Sequence, residues 1–181
     1  MSLFFAIILA FAIVPMPVET LKASGNPITD RLTEFKNLYN GKYWNQGVNV
    51  AHSSDFHVTD HPCSGASVKN GTCHSNSFYG SSWQCNGFAR WLGEYMFGSD
   101  PKTWQSYTSF SQAVLEPGDV IWTNEPHWGM VWKVDGDKVY VAECWGGSGC
   151  KLNWGPYNGK QARASLSGYI SQRLVRWYKH P

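Results

Sequence analysis

The sequence predicts an α+β domain. Two stretches with apolar residues at helical spacing come first, and short strand-like segments separated by Gly, Pro and Asp turns come second. Neither an internal repeat nor a second domain is visible in the 181 residues.

The chain opens on an unbroken apolar run from Leu3 to Val14. A comfortable membrane span needs about 20 residues, so this run fits the core of a signal peptide, with cleavage placed between Ala23 and Ser24. The usual positive start is absent, and an uncleaved anchor or a buried apolar segment is the competing reading. Asn26-Pro27-Ile28-Thr29-Asp30 then reads as a helix start, with Leu32, Phe35, Leu38 and Tyr39 on one face and Asn40-Gly41 as the stop. Tyr43 to Phe78 has no clear period and reads as a long loop. Its histidines, His52, His57, His61 and His74, lack a recognised zinc spacing, so no metal site and no cofactor are implied.

The second helix begins at Ser81-Ser82-Trp83-Gln84-Cys85. Phe88, Trp91, Leu92, Tyr95 and Met96 recur at helical spacing, Ser81 or Ser82 supplies the cap, and Gly98 ends the pattern. Cys85 therefore stands at a helix N-terminus, where unpaired N–H groups and the helix dipole favour a thiolate. Asp100 to Ser111 reads as loop with short helical turns. Leu115-Glu116-Pro117-Gly118-Asp119 is a turn into a strand, Val120–Thr123. A second strand, His127–Val134, a turn at Asp135-Gly136-Asp137 and a third strand, Lys138–Cys144, form a hairpin. Lys151–Trp154 is a fourth strand, and Gly168–Ile170 with Arg173–Tyr178 close the sheet.

Composition narrows the function classes. Charged residues make up 15% of the chain and the net charge is +2, with no Lys/Arg run, which excludes a nucleic-acid footprint but suits an anionic surface such as a cell wall. The five cysteines are an odd number, which in an exported protein flags one reactive thiol. Of the three connectivities open to the other four, Cys63–Cys73 and Cys144–Cys150 are preferred because each closes a short Gly-containing loop. That choice leaves Cys85 unpaired.

A cysteine nucleophile needs a base within reach and a group that orients the base. His127 opens a strand directly after Pro126 and projects from the end of a sheet. With a three-residue hairpin loop, Gly129 faces Glu143, so Glu143 lies diagonal to His127 on the same face, about 7–8 Å away along the backbone. A two-residue loop moves Glu143 to the opposite face. A triad of Cys85, His127 and Glu143 therefore requires an odd register or a bulge.

These residues carry a resemblance. Trp-Gln-Cys-Asn-Gly-Phe-Ala at 83–89, Leu-Glu-Pro-Gly-Asp-Val-Ile at 115–121, His127 opening a strand and Glu143 ending the next are similar to the CHAP family, over roughly residues 78–178. Those cysteine, histidine-dependent amidohydrolases and peptidases are papain-like and cut peptidoglycan. The resemblance implies N-terminal helices packed on a C-terminal antiparallel sheet, with Cys85 as nucleophile, His127 as general base and Glu143 as its orienter. The Cys85 N–H and Gln84 would bind the oxyanion. Family members often carry an Asn two residues after the Glu; here that position is Trp145, and Asn153 can substitute only if the Trp145–Cys150 loop folds back. Trp83, Trp128 and Trp145 flank the triad positions and are candidates to line a substrate groove, although a core role suits them equally.

The resulting expectation is a signal peptide at 1–23, a helix and disulfide-stapled loop at 24–77 and a CHAP-like catalytic core at 78–181. The protein would be a secreted, monomeric hydrolase acting in the extracellular space or cell wall. Its partner would be peptidoglycan, cleaved as an N-acetylmuramoyl-L-alanine amidase or peptide endopeptidase, with neither nucleic acid nor, after signal cleavage, membrane involved. Alternatives are an NlpC-like endopeptidase, another cysteine amidohydrolase acting on proteins, or a non-catalytic wall-binding module.

Overall fold

A computed structural model describes residues 25–44, 58–60, 85–110, 114–145 and 150–181. The proposed signal peptide, the loop with its four histidines, Cys63, Cys73, Trp83 and Gln84 lie outside these residues. The described chain is α+β. Helix α1 spans Pro27–Tyr39 and helix α2 spans Cys85–Phe97. The strands are β1 (Tyr43–Trp44), β2 (Val58–Thr59), β3 (Ser106–Tyr107), β4 (Val120–Thr123), β5 (His127–Asp135), β6 (Lys138–Trp145), β7 (Lys151–Pro156) and β8 (Leu174–Tyr178). They form one antiparallel sheet in the order β2-β1-β7-β6-β5-β4-β8-β3.

Local chemistry explains the helix ends. The Asn26 side chain accepts from the N–H groups of Ile28 and Thr29 at 2.9 and 3.1 Å, and Pro27 fills the first turn, where its missing N–H costs nothing. Gly98 takes a left-handed φ of +74° and returns its N–H to the Glu94 carbonyl at 2.7 Å, closing α2. Two sequence expectations change here. Leu38 is 60% exposed and lies off the packed face of α1. Residues Leu166–Ile170 form a π-helical turn, not a strand, because the Ser165 hydroxyl caps it by accepting from Gly168 N while Tyr169 and Ile170 turn inward.

Strand alternation divides the core in two. Val120, Trp128, Met130, Ala142, Cys144, Leu152, Trp154 and Tyr178 cluster with Leu32 and Phe35 of α1 and with Phe88, Trp91 and Leu92 of α2. Ile121, Val131, Val139, Val141 and Trp177, at the intervening positions, cluster instead with Tyr157, Ala164 and Ile170. Trp91 stands at the middle of the first cluster, with its ring 5.3 Å from Trp44 and 6.0 Å from Phe35. No helix among the described residues is long and apolar enough to cross a membrane.

The β5–β6 hairpin departs from the expected three-residue loop. Asp135 pairs with Lys138 across a two-residue turn, and Val134 pairs with Val139. Continued unchanged, that register would set Glu143 against Met130, on the face packed by the helices. Trp132 is an extra residue between Val131 and Lys133, and this bulge restores Gly129 opposite Glu143. Helix α1 fastens the bulge: Thr29 Oγ1 donates to the Trp132 carbonyl at 3.2 Å, and the Trp132 indole donates to Thr33 Oγ1 at 3.0 Å.

The fit of α2 against the Pro101–Thr103 turn yields a test. A Cβ on Gly93 would run into the Pro101 ring and stand 3.1 Å from Trp104 Cη2. Alanine is the better helix former by about 1 kcal/mol, yet overpacking costs about 1–3 kcal/mol. Gly93→Ala should lower stability in a denaturant titration, opposite in sign to the propensity change.

Candidate active site

Cys85 is the first residue of α2 and is 6% exposed. Its sulfur lies 3.6 Å from the Pro126 carbonyl oxygen, which puts the helix start against the β4–β5 connection. His127, the next residue, opens β5 and is paired with Thr123 of β4. Its imidazole stands at the end of the sheet and interacts with the Cys85 side chain. Nε2 is 2.7 Å from Glu143 Oε2, which leaves Nδ1 for the sulfur. The three side chains expected to converge are therefore brought together, with His127 bonded to Glu143 and interacting with Cys85.

Glu143 reaches His127 diagonally, because Gly129 is the residue paired with Glu143 on β5. Gly129 has no room for a side chain, since a Cβ there would stand 3.0 Å from Val141 Cγ2. Glu143 is 0% exposed, and a buried carboxylate is costly unless its oxygens are satisfied. Besides His127, the Trp145 indole donates to Oε1 at 2.7 Å and Asn153 Nδ2 donates to it at 3.3 Å. The backbone N–H of Asn158 reaches Oε2 at 2.8 Å, and that of Gly159 reaches Oε1 at 3.3 Å. Asn158 and Gly159 both have left-handed φ values, 52° and 61°, and consecutive N–H groups in such a turn make an anion-binding concavity. Gly159 is also required by space, since a Cβ there would come within 2.8 Å of the Trp145 ring.

Tyr157 supports His127 from behind. Its hydroxyl donates to the His127 carbonyl at 2.8 Å and lies 3.1 Å from Thr123 Oγ1, and its ring meets the imidazole edge-to-face at 5.3 Å. Burial alone pulls the His127 pKa down. Hydrogen bonds to Cys85 and Glu143, with the attraction of their negative charge, outweigh that and raise it to about 9.

The remaining sequence candidates fall elsewhere. Trp128 is 4% exposed, with its ring stacked 5.2 Å from Trp122 and 5.5 Å from Tyr178, so it is a core residue. Trp145 is half-buried with its indole turned onto Glu143, where the resemblance would place an Asn. Asn153 also reaches Glu143, because β7 folds back in register with Glu143 opposite Asn153. The expected Cys144–Cys150 disulfide is absent: both side chains are buried thiols. They lie close enough for Cys150 to act on the Cys144 thiol, yet they are not bonded to each other. Burial pushes the Cys144 thiol well above its ordinary value. Among the described residues no group of three or more His, Cys, Asp or Glu is arranged to hold a metal ion.

Tyr157, Asn158 and Gly159 were not singled out by sequence reasoning. The Asn-Gly pair marks a turn, but nothing in it says that the turn folds onto Glu143.

No family model, curated protein or solved structure matches the chain.

Removing the charge on Glu143 tests the site directly. Glu143→Gln should let the His127 pKa fall from about 9 toward its ordinary value, read by NMR titration of the imidazole. Stability follows the same group. A raised pKa in the folded state stabilises fully below about pH 6.5 and is lost as pH climbs through about 9. The midpoint difference between the native chain and Glu143→Gln should therefore shrink across that window.

Proposed function

We propose that this protein is a papain-like cysteine hydrolase of CHAP type, exported to the cell wall, that cleaves amide bonds in peptidoglycan. The observation that carries the proposal is the His127 imidazole held between the Cys85 sulfur and the buried Glu143 carboxylate. The nucleophile on a helix start and the base on an antiparallel strand support the papain-like reading.

Acyl transfer follows from these groups. The thiolate is the nucleophilic form of a cysteine. The Cys85 sulfur attacks the amide carbonyl, and the backbone N–H groups at the start of α2 face the developing oxyanion. His127 gives its Nδ1 proton to the leaving amine, which departs as the thioester forms. His127 then takes a proton from water, hydroxide adds to the thioester, and the carboxylic acid leaves as the sulfur is restored. Glu143, fixed by its other donors, keeps the ring aimed and stabilises its positive charge. With His127 protonated up to about pH 9, the acid step is served throughout the neutral range.

Zymography on purified peptidoglycan tests the reading, with Cys85→Ala as the control. Clearing by the native chain and none by Cys85→Ala is expected; equal clearing by both rejects it. Muropeptides left intact while a protein or small amide is cut would reassign the substrate but keep the chemistry. The rate constant kcat/KM should fall above about pH 9 as His127 loses its proton.

A further inference from the structure

A second group of charged side chains lies beside the catalytic one. Glu125 immediately precedes Pro126, whose carbonyl touches Cys85. Its carboxylate is held on three sides. Arg173 Nε donates to Oε1 at 2.9 Å, Asn158 Nδ2 donates to Oε2 at 3.2 Å, and the Tyr169 hydroxyl donates to Oε2. Asn158 thus spans two carboxylates, Glu125 by its side chain and Glu143 by its backbone N–H. Arg173 is clamped in turn. Its guanidinium carbon sits 4.3 Å over the Tyr169 ring, and Nη1 reaches the Tyr169 carbonyl at 3.4 Å.

Of these residues, Tyr169 and Arg173 line a cavity of about 340 Å³, together with Ala162, Arg163, Ser165 and Gln172. The polar inventory of that cavity is one-sided. The Arg163 guanidinium and the Gln172 amide have no side-chain partner among the described residues, and Arg173 keeps Nη2 uncommitted. Both nearby acids are already satisfied: Glu125 as above, and Asp137 by the hydroxyls of Ser165 and Ser167 and the Ser167 N–H. Ser165 is consumed by the same contacts. The cavity therefore offers two guanidiniums and the Gln172 amide, and no carboxylate lines it. Such a set suits a planar anion taken by a guanidinium fork.

We propose that this cavity is a substrate subsite for a free carboxylate of the peptidoglycan stem peptide, bound by Arg163 and Arg173 with Gln172 beside them. The proposal rests on the peptidoglycan-hydrolase reading and adds to it a preference for the acid form of the peptide over its amide. Arg173 is the fixed anchor and Arg163 the adaptable one. Glu125 positions Arg173, and through Asn158 the subsite wall is joined to the carboxylate that orients His127.

The test compares two muropeptides that differ only in a stem-peptide carboxylate, free in one and amidated in the other. The native chain should show a KM about tenfold lower for the free acid, the worth of one charge-assisted bond, with little change in kcat. Arg163→Gln should raise the free-acid KM about tenfold and so abolish the discrimination. Lys133→Gln, which removes a cation that lines no part of the cavity, should leave the discrimination intact. Equal handling of both substrates by the native chain overturns the subsite and leaves the hydrolase standing. Binding to Cys85→Ala, measured by calorimetry, separates the two failures: free-acid peptide that binds in an Arg163-dependent way but is never cut by the native chain sinks the hydrolase and keeps the carboxylate site. Inorganic phosphate that binds in an Arg163-dependent way, where the peptide does not, overturns the carboxylate assignment.

Discussion

A carboxylate with no exposure to water imposes conditions on everything around it. Glu143 is stable in its position only if fixed donors replace the solvent it has lost. Those donors come from β5, from β6 itself, from β7 and from the turn at Tyr157–Gly159. Each has to arrive in a particular register or backbone conformation, so one buried charge couples three strands and a left-handed turn. The same coupling fixes His127, whose ring is free to accept only one orientation between Glu143 and Cys85.

The molecule holds a second buried Asp/Glu–His pair, and the contrast is instructive. Asp119 is 0% exposed and lies 2.7 Å from His180 Nδ1, the same distance as between His127 and Glu143. It also accepts from the N–H groups of Glu116 and His180. Burial pushes its pKa up, and the hydrogen bonds offset only part of that. These contacts fasten the end of the chain to the Leu115–Asp119 turn, next to Phe97 at the far end of α2 from Cys85. The Pro-Gly-Asp segment that helps carry the family resemblance thus has a visible structural task, and distance alone does not distinguish the role of one such pair from that of the other.

Helix α1 contributes to the site without touching it. By bonding Trp132 through Thr29 and Thr33, it holds the one irregular residue of β5. The bulge keeps Val134 on the face of Val139 and Val141 while setting Gly129 against Glu143. Packing and catalysis-related geometry are served by one extra residue.

The sequence by itself determined the local features: a cysteine at the start of an amphipathic helix, a histidine opening a strand, a glutamate near the end of the next, and the α+β order. These follow from periodicity and turn residues, which act over a few positions. It also stated the condition for a triad, an odd register or a bulge, without deciding between them. Tertiary structure decided that the turn is tight and Trp132 bulges, because only α1, distant in sequence, supplies the groups that hold the bulge. It turned Trp145 and the Asn158-Gly159 turn onto Glu143 and set Trp128 into the core. Cys144 and Cys150 are buried thiols rather than a disulfide. Those outcomes depend on which groups must satisfy a buried charge, and that is settled only when elements far apart in the chain meet.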